Sequence, residues 1–203
     1  MEIYEKHKNI STQRQALFLD RDGVINVDKC YVSRSEDIEF IDGIFDLCRA
    51  ASERGMPIVV VTNQSGIARG YYSDEQFHIL TNWMYAQFEK ARCPLSAVYY
   101  CPYHPTGGLG KYRQDSYDRK PNPGMLLGAQ KDLALDMKGS IMVGDNPSDI
   151  LAARAAGVGV TVLFGSDAKG SSPSRVMGCM KDICLYFEQL YTSMADCPMS
   201  SND

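Results

Sequence analysis

Six consecutive residues, Pro57-Ile58-Val59-Val60-Val61-Thr62, run apolar and β-branched without polar alternation. A strand with one face in water alternates apolar and polar residues, so a run lacking that alternation is covered on both faces. Such cover comes from helices above and below a parallel sheet, whose strands need crossover connections. Shorter apolar runs recur at Ala16–Leu19, Ala97–Tyr100, Ser140–Val143 and Gly159–Phe164. Helical signals lie between them. Asp42-Gly43 opens a helix over Ile44–Arg54, with Ile44, Leu47, Cys48 and Ala51 at helical spacing and Gly55 closing it. Ser73-Asp74-Glu75-Gln76 is a capping-box pattern that starts a helix running to about Ala91. Further helices are predicted over Pro123–Leu135, over Ser148–Ala156 ended by Gly157, and over Lys181–Tyr191. Strands alternating with helices predict right-handed βαβ units, hence an α/β fold with a single doubly wound parallel sheet.

The length of 203 residues suits one well-buried domain of this kind. A net charge of −4, with 21 basic residues and no Lys/Arg cluster, argues against a nucleic-acid partner. Any phosphate affinity must therefore come from a local site and a cation. Seven scattered cysteines with no CxxC pair suit reduced thiols in a cytoplasmic protein. Met1–Lys8 has no apolar core of a signal peptide, and no stretch approaches the ~20 apolar residues of a membrane span. The expectation is a cytoplasmic monomer with no membrane partner. The chain divides into a polar lead-in at 1–15, the α/β domain at 16–194 and a tail at 195–203. An unpatterned segment, 101–123, is too long for a simple connector and marks a functional loop.

In doubly wound sheets ligands sit beyond the carboxyl ends of the strands. The polar residues of this chain fall at those ends. Leu17-Phe18-Leu19 runs out into Asp20-Arg21-Asp22-Gly23, two carboxylates two residues apart with a glycine that lets the backbone turn sharply. Carboxylates that close repel unless a cation lies between them or one keeps a proton. One can attack while its neighbour moves a proton. Taken alone, the same residues also read as a strand followed by an Asp-Gly turn. Thr62-Asn63-Gln64-Ser65-Gly66 offers hydroxyls, amides and backbone donors suited to phosphate oxygens, or merely terminates its strand. Arg119-Lys120-Pro121 places two cations before a helix, as a phosphoryl clamp or a solvated loop. Gly144-Asp145-Asn146-Pro147-Ser148-Asp149 again puts acids at a strand end. Asp145 can complete the oxygen shell of Mg²⁺. Asp149 either caps the following helix or steadies that ion from behind.

Asp20-x-Asp22-Gly23-Val24, Thr62 after an apolar strand, Lys120 and Gly144-Asp145-x-x-x-Asp149 resemble, in order and context, the four motifs of the haloacid dehalogenase-like (HAD-like) phosphohydrolases. Asp20-Arg21-Asp22-Gly23-Val24-Ile25-Asn26, Thr62–Tyr72 and Arg119-Lys120-Pro121-x-Pro123-Gly124-Met125 are similar to the D-glycero-D-manno-heptose 1,7-bisphosphate 7-phosphatases, close relatives of the histidinol-phosphate phosphatases. The likeness runs from about Ala16 to Gly165. It implies a Rossmann-like core with a minimal cap and a Mg²⁺-dependent removal of the 7-phosphate through an aspartyl-phosphate. Such a product would feed a lipopolysaccharide or capsule precursor. It also implies roles: Asp20 as nucleophile, Asp22 as acid and base, Thr62 and Lys120 against the phosphoryl group, and Asp20, Asp22 and Asp145 on Mg²⁺. Substrate contacts are implied at Asp28, Tyr31, Asn63, Gln64, Ser65, Arg119 and Asn146, the last standing where relatives often carry lysine. Histidinol phosphate or another small phosphate ester is the alternative substrate, and a non-catalytic phosphosugar-binding module the remote one.

Many enzymes of this kind hold a structural zinc through Cys-x-His and Cys-x-Cys in the long loop. Here those positions read Cys101-Pro102-Tyr103 and Ser116-Tyr117-Asp118. A tetrahedral zinc site needs four well-placed N or S ligands, and a substitute set of Cys101, His104, Asp115 and Asp118 would mix in two carboxylates. The expectation is therefore no structural zinc, with the loop ordered by Tyr103, Tyr112 and Tyr117. Neither His78 nor His104 is assigned a catalytic role, and Trp83 is expected in the core.

Overall fold

A computed structural model of the protein describes residues 13–165 and 170–195. The N-terminal lead-in up to residue 12, with its leader reading, and the tail from residue 196 lie outside the described residues. Strands β1 (Leu17–Leu19), β2 (Ile58–Asn63), β3 (Ala97–Cys101), β4 (Ile141–Gly144), β5 (Val160–Phe164) and β6 (Arg175–Met177) form one sheet in the order β3-β2-β1-β4-β5-β6. Every pair is parallel. The helices are α1 (Ile44–Glu53), α2 (Ser65–Ala68), α3 (Asp74–Lys90), α4 (Gly124–Leu133), α5 (Pro147–Ala155) and α6 (Met180–Ala195).

The unalternated strands acquire cover on both faces. Leu17, Leu19, Ile58, Val60, Ile141 and Val143 pack with Ile44 and Leu47 of α1, Met84 and Phe88 of α3, and Ile183 and Phe187 of α6. The intervening residues Phe18, Val59, Val61 and Met142 pack on the other side with Leu126 and Ala129 of α4 and Ala152 and Ala153 of α5. Each large apolar side chain buried this completely contributes about 1.5–3 kcal/mol. The three central strands therefore dominate stability, and the largely exposed β6 adds little.

β1 sits between β2 and β4, where successive connections leave in opposite directions along the sheet. The register pairs Leu19 with Val60 on one side and with Val143 on the other. Within two residues beyond those pairs come Asp20, Thr62 and Asp145, at one end of adjacent strands. That is the switch point at which open α/β sheets bind ligands.

The predicted strands and long helices are present with small shifts, α4 ending at Leu133 and α6 reaching Ala195. Ser73 and Gln76 form the expected capping box at α3. Two elements carry no readable pattern. α2 is four residues long and contains Gly66, and β6 is an exposed edge of three residues without alternation. Trp83 stacks on Phe40 at the rim of the core, 5.8 Å between ring centres, rather than inside it. Among the described residues, no helix is long and apolar enough to cross a membrane.

Candidate active site

Asp20 is the first residue past β1. Its backbone N–H continues the sheet by donating to the Val143 carbonyl, which fixes the direction of its side chain. One carboxylate oxygen accepts from the Arg21 N–H at 2.8 Å and lies 2.8 Å from Lys120 Nζ. Lys120 arrives from the segment before α4 and is buried. Its ammonium has three neighbours: Asp20, Asp149 at 2.6 Å and the Val61 carbonyl at 2.7 Å. Burial alone would lower the Lys120 pKa, but Asp149 and Asp20 outweigh it and hold the group above its ordinary value.

Asn63 sets the segment that carries Lys120. Its amide donates to the Lys120 carbonyl at 3.0 Å, and its side-chain oxygen accepts from the Lys120 N–H at 3.1 Å. Asp149 braces the opposite side. One of its oxygens meets Lys120, and the other accepts from the Asn146 N–H, closing a capping box at the start of α5. The capping reading of Asp149 is thus realised by the same side chain that meets the lysine.

Asp20, Asp145 and Asp149 can each present one oxygen within 4.8 Å of the others, a cluster able to hold a metal ion. Burial pushes Asp145 up to about 7, and the neighbouring Asp149 charge pushes the same way. Burial likewise raises Asp20 to about 7, against the pull of Lys120. Three carboxylates facing one ammonium leave an excess negative charge in a poorly solvated place, and a divalent cation would offset it. Gly23 makes the close approach possible. It has φ +83°, and a Cβ there would stand 1.9 Å from Asp145 Oδ2.

Asp22, expected among the metal ligands, has its carboxylate outside that trio. It accepts from Arg21 Nε at 3.1 Å and Nη2 at 2.8 Å, from Asn26 Nδ2 at 3.1 Å and from Gln64 Nε2 at 3.2 Å. Thr62 is buried and accepts from Gln64 Nε2 at 2.8 Å. A cleft of ≈ 510 Å³ is lined by Asp20, Asp22, Asp28, Asn63, Ser65, Arg119, Lys120, Asp145, Asn146 and Asp149, among others. An adjoining hollow of ≈ 270 Å³ adds Tyr31 and Gln64 and shares Asp22, Asp28, Asn63 and Ser65. The structure therefore brings every sequence-expected site residue except the buried Thr62 to one continuous depression.

Asn63 and Gln64 already have partners within the protein, and three further expected substrate contacts do as well. The Asn146 side chain accepts from Ser148 N–H as the α5 cap. Asp28 accepts from the Cys30 N–H in a tight turn. Arg119 donates to the Tyr103 carbonyl, and burial lowers its pKa. Tyr31 stands at the mouth, edge-on to Tyr71 with ring centres 4.7 Å apart.

The long loop is tied down by polar contacts. The Tyr112 hydroxyl donates to Asp74, Leu109 N–H donates to the Ala68 carbonyl, and His104 Nε2 faces Arg69 Nη2. His104 Nδ1 accepts from the Gly107 N–H at 2.8 Å. Tyr103 and Tyr112 pack together, whereas Tyr117, expected to help, is 63% exposed. Among the described residues, Cys101, His104, Asp115 and Asp118 do not gather into a ligand set. Sequence reasoning gave Tyr72 no role of its own, although it ends the Thr62–Tyr72 stretch of the likeness; in the structure its hydroxyl reaches Gln64.

Comparison with known proteins gives a consistent picture. A HAD-hydrolase-like family model matches residues 117–174. The D-glycero-alpha-D-manno-heptose-1,7-bisphosphate 7-phosphatase of Burkholderia mallei is 52% identical over 152 residues, 75% of this chain and 80% of that protein. The D-glycero-beta-D-manno-heptose-1,7-bisphosphate 7-phosphatase of Vibrio cholerae is 49% identical over 150 residues, 74% of this chain and 81% of that one. A crystal structure of the D,D-heptose 1,7-bisphosphate phosphatase from B. bronchiseptica, complexed with magnesium and phosphate, superposes with a TM-score of 0.73 at 25% identity. That match covers 88% of this chain and 99% of the other.

Proposed function

Because this chain belongs to the HAD-like heptose-bisphosphate phosphatases, we propose that it hydrolyses the 7-phosphate of D-glycero-D-manno-heptose 1,7-bisphosphate, in a cytoplasmic monomer supplying a lipopolysaccharide or capsule precursor. One observation carries the reading. Asp20 ends a central strand with its carboxylate held by Lys120 and flanked by Asp145 and Asp149, on a chain about half identical to enzymes named for that reaction.

Asp20 attacks phosphorus in line, forming an aspartyl-phosphate as the sugar oxygen leaves. Asp22 gives that oxygen its proton and then takes one from the water that hydrolyses the acyl-phosphate. Lys120 offsets the charge that spreads over the phosphoryl oxygens, and the Thr62 hydroxyl, buried just beside the cleft against Gln64, would donate to one of them. An all-oxygen set of aspartates fits Mg²⁺, a hard cation that keeps several waters and takes only a few carboxylates. Asp20 and Asp145 would hold it, with Asp149 behind them and Asp22 facing the same cleft. When bound, it would supply further charge neutralisation at the transferred group. Arg119, with Asp28 and Tyr31 at the mouth, would meet the rest of a substrate bearing two phosphates. Loop 101–123 would need no zinc, a reading supported by its hydrogen bonds through Tyr112, Leu109 and His104. The free thiols of the described cysteines suit a reducing compartment.

The test is phosphate release from both anomers of heptose 1,7-bisphosphate, from histidinol phosphate and from p-nitrophenyl phosphate, with Mg²⁺ and with EDTA. The expected result is a kcat/KM at least tenfold higher for a heptose bisphosphate than for histidinol phosphate, heptose 1-phosphate as product, and no turnover in EDTA. Preference for histidinol phosphate would overturn the substrate assignment.

A further inference from the structure

Gln64 lies at the cleft, yet its polar atoms are turned inward. The side chain is 1% exposed. One hydrogen of its Nε2 goes to Thr62 Oγ1 at 2.8 Å and the other to Asp22 Oδ2 at 3.2 Å. Its Oε1 accepts from the Tyr72 hydroxyl. Both donors are thus committed within the protein, and a substrate oxygen would have to break one of these bonds to reach them.

The bond to Thr62 carries chemical information. A hydroxyl that already accepts from an amide keeps its own hydrogen for another acceptor. The bond to Asp22 joins those from Arg21 and Asn26, so the carboxylate is approached from three directions. We infer that Gln64 is a positioning residue rather than a substrate contact: its one carboxamide turns the Thr62 hydroxyl into a donor toward the phosphoryl group and aims Asp22 at the leaving oxygen. The inference rests on the phosphatase reading above.

Tyr72 and Gly66 keep the amide the right way round. Were the amide reversed, its oxygen would face the Asp22 carboxylate and its N–H₂ would face Tyr72. The Tyr72 hydroxyl, donating to Oε1, opposes that reversal. The ring is buried with Ile67 and Phe77 and comes close only because residue 66 has no side chain. A Cβ on Gly66 would lie 2.2 Å from Tyr72 Cε1 and 2.8 Å from its hydroxyl oxygen. Gly66 therefore serves to let a tyrosine approach.

Two esters separate positioning from binding. Heptose bisphosphate has an alkoxide leaving group that needs a proton, whereas p-nitrophenolate leaves without one. With Gln64→Met, kcat on heptose bisphosphate falls about 100-fold, the scale of a displaced general acid, with KM within about twofold. On p-nitrophenyl phosphate the loss is about tenfold or less. Tyr72→Phe, which preserves the packed ring, and Gly66→Ala, which displaces it, give the same pattern at about three- to tenfold. A tenfold rise in KM with kcat retained would make Gln64 a substrate contact and overturn the inference. Equal loss on both esters would do so too, by reducing Gln64 to support of the fold. A wild-type protein inert toward both esters would instead sink the phosphatase reading, and the inference with it.

Discussion

Replacing Gly23 by alanine separates the backbone cost of a glycine from its cost to the chemistry. Gly23 has φ +83°, a conformation that disfavours an L side chain by about 1–2 kcal/mol. A smaller unfolded-state entropy returns part of that, about 0.4–1 kcal/mol. The net loss of stability is about 1 kcal/mol, or about 2–4 °C in Tm for a chain of this size. The side chain does more. Its Cβ would stand 1.9 Å from Asp145 Oδ2, where ordinary contact begins at 3.4 Å, so the carboxylate must retreat by about 1.5 Å, the difference. Misplacement on that scale costs about 100-fold in turnover and should weaken Mg²⁺ activation in parallel. Gly157 supplies the control, with φ +81° and no atom within 4 Å of a Cβ. The two variants should melt within about 2 °C of each other, with only Gly23→Ala losing activity and needing more Mg²⁺ in a titration. If Gly23→Ala retains wild-type kcat and Mg²⁺ dependence, the close approach of Asp145 to this turn is not needed for function.

Asp20→Asn is expected to abolish phosphate release while leaving the far-ultraviolet circular dichroism spectrum unchanged; residual turnover above a few per cent would remove Asp20 from its assigned role. Asp20 and Asp145 both reach about 7 through burial, from an ordinary value of 3.8. Between about pH 4 and 7 the folded, metal-free protein keeps protons that the unfolded chain has released. These two groups therefore favour folding at low pH and lose that contribution as pH rises through 7. Scanning calorimetry should show the Tm of the metal-free protein falling from pH 5 to 7.5 and the Tm gain from Mg²⁺ growing over the same range; a gain that shrinks with pH would contradict the assignment. Asn63→Ala removes both bonds to the Lys120 backbone and should lower kcat about tenfold, visible in initial rates at saturating substrate.

The sheet and the strand-end acids were legible because parallel strands covered on both faces must be written in apolar residues. Any polar residue that follows them stands out. Asp20, Thr62 and Asp145 are conspicuous for that reason. What escaped notice depends on which way a side chain turns. The resemblance sets Asp22 beside Asp20 and Asp145 on Mg²⁺, and only the structure shows Arg21, Asn26 and Gln64 holding its carboxylate outside the trio of Asp20, Asp145 and Asp149. Asn63 and Asn146 line the cleft as expected, but their structural bonds, one to the Lys120 backbone and the other capping α5, depend on side-chain direction and leave no trace in the sequence. The four-residue α2 and the edge strand β6 are too short to show a period.

Lys120 joins three regions of chain that lie far apart in sequence: the end of β1, the interior of β2 and the first turn of α5. One ammonium thus rivets the sheet at the spot where phosphorus would be attacked. Drift at this position would be punished twice, once as lost activity and once as a loosened scaffold. The rim around Asp28, Tyr31 and the 101–119 stretch lies outside that rivet. Laboratory selection for new sugar phosphates should find its winners there.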